Sequence, residues 1–177
     1  MPLAQELERI VAQSGADAVL AAEAQPGERV YVCSFDEADG GRTWLAFDAA
    51  GQPVTDRQRL RDAVSIIALC ELAEETAAGG DLDELRSQLA ALRVTESPPG
   101  IEEAEEAALE LQRVLGAPPT LATPARLDEI GAATRRLEVA LGGATQGSPF
   151  AAAMKGASTV VDALFGDVER SYRIALS

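Results

Sequence analysis

From Asp81 onward, apolar residues recur at alternating intervals of three and four in four successive segments. The first carries Leu82, Leu85, Leu89 and Leu92; the second Ile101, Ala104, Ala108, Leu111 and Leu115. The third carries Leu127, Ile130, Thr134, Leu137 and Leu141; the last Phe150, Met154, Ala157, Val161, Leu164 and Val168. This spacing keeps one stripe of a helix facing a neighbour. Between the segments stand Ser97-Pro98-Pro99-Gly100, then Gly116 with Pro118-Pro119, then Gly142-Gly143. Short breaker-rich connections force neighbouring helices to run antiparallel. The pattern predicts an antiparallel four-helix bundle over residues 81–177, with Asp81-x-x-Glu84, Thr123-Pro124 and Ser148-Pro149 as helix starts. Gly166 lies inside the last segment in phase with Val168, which predicts one helix with a kink.

Residues 1–80 read differently. Leu3, Leu7, Ile10 and Val11 predict a helix from about Pro2 to a stop at Gly15. Ala18–Ala24 reads as a strand before the turn Gln25-Pro26-Gly27-Glu28. Arg29–Phe35 and Thr43–Phe47 are rich in β-branched and aromatic residues and flank a Gly-containing loop, which predicts a β-hairpin over about 29–47. Apolar side chains on both hairpin faces predict that both faces are covered. Thr55-x-x-Gln58 has capping-box spacing and opens a long helix over about 56–78, ending at Gly79-Gly80. Its centre, Ala63 to Ala73, is apolar nearly all round and predicts a buried spine. The expected fold class is α+β and predominantly helical, divided at about residue 80.

Charge narrows the partners. The net charge is -14 and both halves are acidic. Such a field repels a nucleic-acid backbone and an anionic membrane surface. The longest apolar run, Ile66-Ile67-Ala68-Leu69-Cys70, is too short to span a bilayer. The N-terminus lacks the pattern of a secretion signal, and Cys33 and Cys70 lie far apart, as buried cytosolic thiols would. The expected location is cytoplasmic. The chain contains no histidine, the commonest metal ligand and general base.

Several clusters invite a chemical reading. Glu71, Glu74 and Glu75 end the spine helix, with Glu71 and Glu74 on one face, where carboxylates can hold Mg²⁺. Glu71-x-x-Glu74 resembles the helix-borne carboxylates of the all-α nucleotide pyrophosphohydrolases. The second motif of that family, a later Glu-x-x-Asp on a neighbouring helix, does not follow. Glu102, Glu103, Glu105, Glu106 and Glu110 crowd a helix start, where acids complement the helix dipole. Asp36-Glu37-Ala38-Asp39-Gly40 lacks calcium-loop spacing and reads as a hairpin loop. Arg57, Arg59 and Arg61 read as locally ion-paired, flanked by Asp56 and Asp62. Tyr31, Phe35, Trp44 and Phe47 concentrate on the hairpin, either as a binding surface or as packing onto the first helix and the spine.

No catalytic or cofactor-binding constellation emerges, so no cofactor is expected. The leading expectation is a non-enzymatic protein-interaction or self-associating module with a protein partner. One alternative is a small-molecule-binding module with a pocket between the hairpin and the spine helix. Another is a Mg²⁺-dependent nucleotide hydrolase using Glu71 and Glu74.

Overall fold

The structure is a computed structural model that describes residues 2–77, 82–116, 121–142 and 148–177. The expected stops at Gly79-Gly80 and Gly143, the cap at Asp81 and the break at Pro118-Pro119 lie outside the described residues. The protein is α+β and mostly helical, with a three-stranded antiparallel sheet. Its elements run α1 (Leu3–Ser14), β1 (Ala18–Glu23), β2 (Arg29–Asp36), β3 (Arg42–Asp48), α2 (Arg57–Ala77), α3 (Leu82–Thr95), α4 (Ile101–Leu115), α5 (Pro124–Ala140), α6 (Pro149–Met154) and α7 (Ala157–Arg170). Among the described residues no helix is long and apolar enough to cross a membrane.

The chain divides into two compact units that interleave in sequence. One unit comprises Met1–Cys70, Pro118–Arg126 and Ser158–Ser177; the other comprises Glu71–Ala117 and Leu127–Ala157. The first division falls at Cys70 and Glu71, inside α2.

The sheet of the first unit explains why two late segments belong to it. Its strands lie in the order β1-β2-β3, which leaves β1 and β3 as edges. An open edge presents unpaired N–H and C=O groups and is a liability. Ala122 covers β1: its N–H donates to Ala21 O and its carbonyl accepts from Glu23 N, both at 2.9 Å. Tyr172 lies alongside β3, where Trp44 N donates to Ser171 O and Arg173 N to Trp44 O, both at 3.0 Å. The Tyr172 hydroxyl donates to Val54 O at 2.5 Å and accepts from Ala46 N at 3.1 Å. Arg173 fastens the same segment: it donates to Glu37 at 2.8 Å and to Thr43 Oγ1 at 2.9 Å, and stacks 3.8 Å from the Phe35 ring centre.

Pairing register decides which side chains share a sheet face. Tyr31 opposes Ala21 and Phe47, Cys33 opposes Val19 and Leu45, and Phe35 opposes Thr43. All of these except Thr43 form an apolar cluster with Ala16, with Leu3, Leu7 and Ile10 of α1, and with Leu121. Val30, Val32, Ser34 and Ala46 occupy the opposite face and are buried too, as the two-sided apolar pattern predicts. Gly15 ends α1 with a positive φ of 73°, a conformation a side chain disfavours.

The start of α2 departs from the expected capping box. Asp56, not Thr55, caps it: Asp56 Oδ1 accepts from Arg59 N at 2.9 Å, and Asp56 O takes the first helical bond, from Leu60 N. The Thr55 carbonyl is instead bonded by Ser177 N at 2.8 Å, and Gln58 reaches forward to Asp62. Along the middle of α2, Leu60, Ala63, Val64, Ile66, Ile67 and Ala68 are buried, in keeping with its all-round apolarity. Arg57 pairs with Glu169 and Arg61 with Asp162 at 2.6 Å, so their partners lie on α7 and not at the flanking Asp56 and Asp62. Both guanidiniums also sit over the ring of Phe165, at 5.3 and 5.1 Å.

The second unit is helical around a core of Ala73, Leu89, Ile101, Ala104, Ala107, Ala108, Leu111, Ile130 and Leu137. Asp83 and Arg86 near the start of α3 meet Gln112 late in α4, while Arg93 meets Glu105, so the two helices are antiparallel. Thr123 Oγ1 accepts from Arg126 N and Ser148 Oγ from Ala151 N, as their positions before proline predict. The last seam is not one helix. Phe150 and Met154 on α6 pack on this core, whereas buried Val161, Phe165 and Val168 lie on α7 within the first unit. The break falls at Lys155 and Gly156, whose N–H groups bond three residues back. Glycine there makes leaving the helix easy. Gly166, where a kink was expected, sits inside an unbroken α7.

Candidate functional site

A cleft of about 430 Å³ opens in the first unit between α1 and the turn that follows β3. Arg9, Ile10, Gln13 and Ser14 of α1 form one wall, Tyr31 and Phe47 the floor, and Asp48, Ala49, Ala50 and Gly51 the other wall. Its volume falls within the range of small-molecule sites. Arg9 and Gln13 are four apart on α1 and so project from one side of the helix. Tyr31 and Phe47 are direct cross-strand partners and share the α1-facing side of the sheet.

The turn wall is built by Asp48. Its Oδ1 accepts from Ala50 N and Gln52 N, each at 2.9 Å, and its N–H donates to Gln52 O. Gly51 completes the turn with a positive φ of 81°. This is the local hydrogen bonding by which Asp specifies turns. Oδ1 of Asp48 is therefore committed to the backbone.

The remaining polar groups sort by their commitments. The Tyr31 hydroxyl donates to Glu6, which also accepts from Arg29 at 3.3 Å, while Arg29 bonds Glu23 at 3.1 Å. Burial and the Glu6 contact both push the Tyr31 hydroxyl above its ordinary range. Ser14 donates to Ile10 O at 2.7 Å and accepts from Ala16 N at 3.2 Å. Beside Tyr31 on the same sheet face, Cys33 is wholly buried, and desolvation raises its thiol to about 11, so it rests as a neutral thiol. Among the described residues Arg9 forms no ion pair. The cleft thus offers an apolar floor, an amide at Gln13 and an uncommitted guanidinium at its rim.

The four hairpin aromatics separate. Tyr31 and Phe47 line the cleft, Phe35 is buried beneath the Arg173 guanidinium, and Trp44 opposes Ser34 on the other sheet face, with Arg42 at 5.8 Å from its ring. They do not form one exposed surface, because successive residues of a strand point to opposite faces. Two of the cleft's polar groups, Arg9 and Gln13, drew no attention in the sequence: they sit on the polar side of an ordinary amphipathic helix. The lining comes from α1, the strands and the turn, and α2 contributes none of it.

Glu71, Glu74 and Glu75 lie in the second unit. Burial raises the Glu71 carboxyl, and the charges of Glu74 and Glu75 add to the shift. Among the described residues no three His, Cys, Asp or Glu side chains gather as a metal site. No protein-family model, curated protein or solved structure matches this chain.

Proposed function

We propose that the protein is a non-catalytic binding module whose α1–hairpin cleft holds a small molecule with an apolar body and a carboxylate. The observation that carries this reading is the juxtaposition of the uncommitted Arg9 guanidinium with the Tyr31–Phe47 floor. An aromatic floor with a few convergent polar groups is the usual make-up of a small-molecule site. Guanidinium geometry matches a carboxylate through paired N–H donors. The neighbouring acids have partners of their own: Glu6 shares Arg29 with Glu23, and Asp48 Oδ1 accepts from two backbone N–H groups.

The helices of the second unit fit this reading as scaffold. Two free, buried thiols, Cys33 and Cys70, support a reducing compartment such as the cytoplasm.

The test uses the full chain with phenylacetate and octanoate beside their uncharged amides. The acids should raise the melting temperature, the amides should do so less, and Arg9→Gln should remove the difference. Loss of one charge-assisted contact, about 1.5–3 kcal/mol, weakens acid binding roughly tenfold to a hundredfold. Equal binding of acid and amide, or an Arg9→Gln variant that binds the acids as tightly as the parent, would overturn the reading.

A further inference from the structure

The second unit presents an open groove of about 730 Å³ between α4 and α5. Glu103 and Glu106 form its α4 wall and Arg135 and Arg136 its α5 wall, with Ala132 and Val139 one turn before and after the arginines on α5. The helices are antiparallel here: Arg136 reaches Glu106 at 3.5 Å, while the other end brings Arg113 into the field of Glu129. Val139 is 52% exposed, and so is Leu109 on the outer side of α4. Glu103 and Arg135 make no ion pair among the described residues. An acidic row and a basic row thus run side by side along the groove, with exposed apolar groups nearby.

We infer that this groove is a self-association surface and that its occupant is a second copy of the same chain. The charge layout is the reason. A two-fold axis running along the groove lays the partner's basic row over this acidic row, and the partner's acidic row over this basic row. The contact is therefore complementary to itself, as a closed dimer requires. A generic acidic partner would meet Glu103 and Glu106, and a generic basic one would meet Arg135 and Arg136. The overall charge of -14 opposes pairing at long range, so the local match has to overcome a repulsion that salt screens. α4 spans 15 residues, roughly 22 Å at 1.5 Å per residue. A face two helices wide and of that length is small for an interface and gives a weak dimer.

Sedimentation equilibrium of the full chain between 5 and 500 µM is the test. The wild type should populate a dimer at the upper end of that range. Glu103→Arg with Glu106→Arg, and separately Arg135→Glu with Arg136→Glu, should each weaken it at least tenfold. An equimolar mixture of the two variants should restore a one-to-one dimer, because each then carries rows of a single sign. All four side chains are surface groups, and far-UV circular dichroism checks the fold. If a charge-reversed variant does not fold, Val139→Glu takes its place and should also give a monomer. A wild type that stays monomeric throughout overturns the inference and leaves the groove to a different chain. A dimer insensitive to these substitutions, or a mixture that does not recover it, also overturns the inference.

Discussion

Replacing Tyr172 by phenylalanine isolates the link between the C-terminal segment and the sheet. The substitution keeps the ring and removes one oxygen. That oxygen serves two backbone groups, donating to Val54 O at 2.5 Å and accepting from Ala46 N at 3.1 Å. Ala46 is wholly buried, and Val54 nearly so. Leaving a buried backbone group unsatisfied costs about 1–3 kcal/mol. Tyr172 is only half-buried, so water can replace part of what is lost. The expected net loss is about 1–2 kcal/mol, a fall in melting temperature of roughly 2–8 °C for a chain of this size. The assay pairs thermal unfolding with native-state hydrogen exchange. The Ala46 amide should lose protection more than ladder amides in β2, because it loses its own acceptor. A melting temperature within 1 °C of the parent, with Ala46 exchange unchanged, would refute the claim that this hydroxyl ties the segment to the sheet.

Two further outcomes follow from the same structure. Asp56→Ala should destabilise the protein by about 1 kcal/mol, the usual worth of an N-cap, and Thr55→Ala by less than half of that; denaturant titration separates the two. The raised thiol of Cys33 makes stability fall at alkaline pH. Below pH 9 the thiol is protonated in both states and its contribution is fully present. Between about 9 and 11 the unfolded chain gives up the proton while the native state keeps it, so stability drops as pH rises. Two pKa units correspond to roughly 2–3 kcal/mol. Tyr31 and Tyr172 shift in the same direction, so Cys33→Ala should shrink the drop without abolishing it. Urea unfolding at pH 8, 9.5 and 11 measures this.

Much of the fold was legible in the chain because local signals and burial agree. Arg29–Asp36 and Arg42–Asp48 are strands for the reason their sequence suggests: β-branched and aromatic residues on a sheet buried from both sides. Gly15, Thr123 and Ser148 mark helix ends through capping chemistry that acts within a few residues. What was not legible depends on distant partners. The choice of Asp56 over Thr55 as cap goes with the bond from Ser177 to the Thr55 carbonyl. The periodic stripe from Phe150 to Val168 looked like one seam, yet its two halves bury against different cores, and apolar spacing carries no record of which core. The edge contacts of Ala122 and Tyr172 are made by single residues, too short to leave a strand signature. The cleft was half visible. Its aromatic floor stood out on the hairpin, but register alone decides that Tyr31 and Phe47 share a face while Trp44 does not. Its polar wall consists of Arg9 and Gln13, residue types that any exposed helix face carries.

A titration of the uniformly ¹⁵N-labelled full chain with phenylacetate, followed by amide chemical shifts, tests the binding role most directly. Saturable shifts should concentrate on residues 9–14 and 47–51, and Arg9→Gln should weaken them at least tenfold. No saturable shift at millimolar phenylacetate, or shifts concentrated away from these two stretches, would contradict the assignment of the cleft as the binding site.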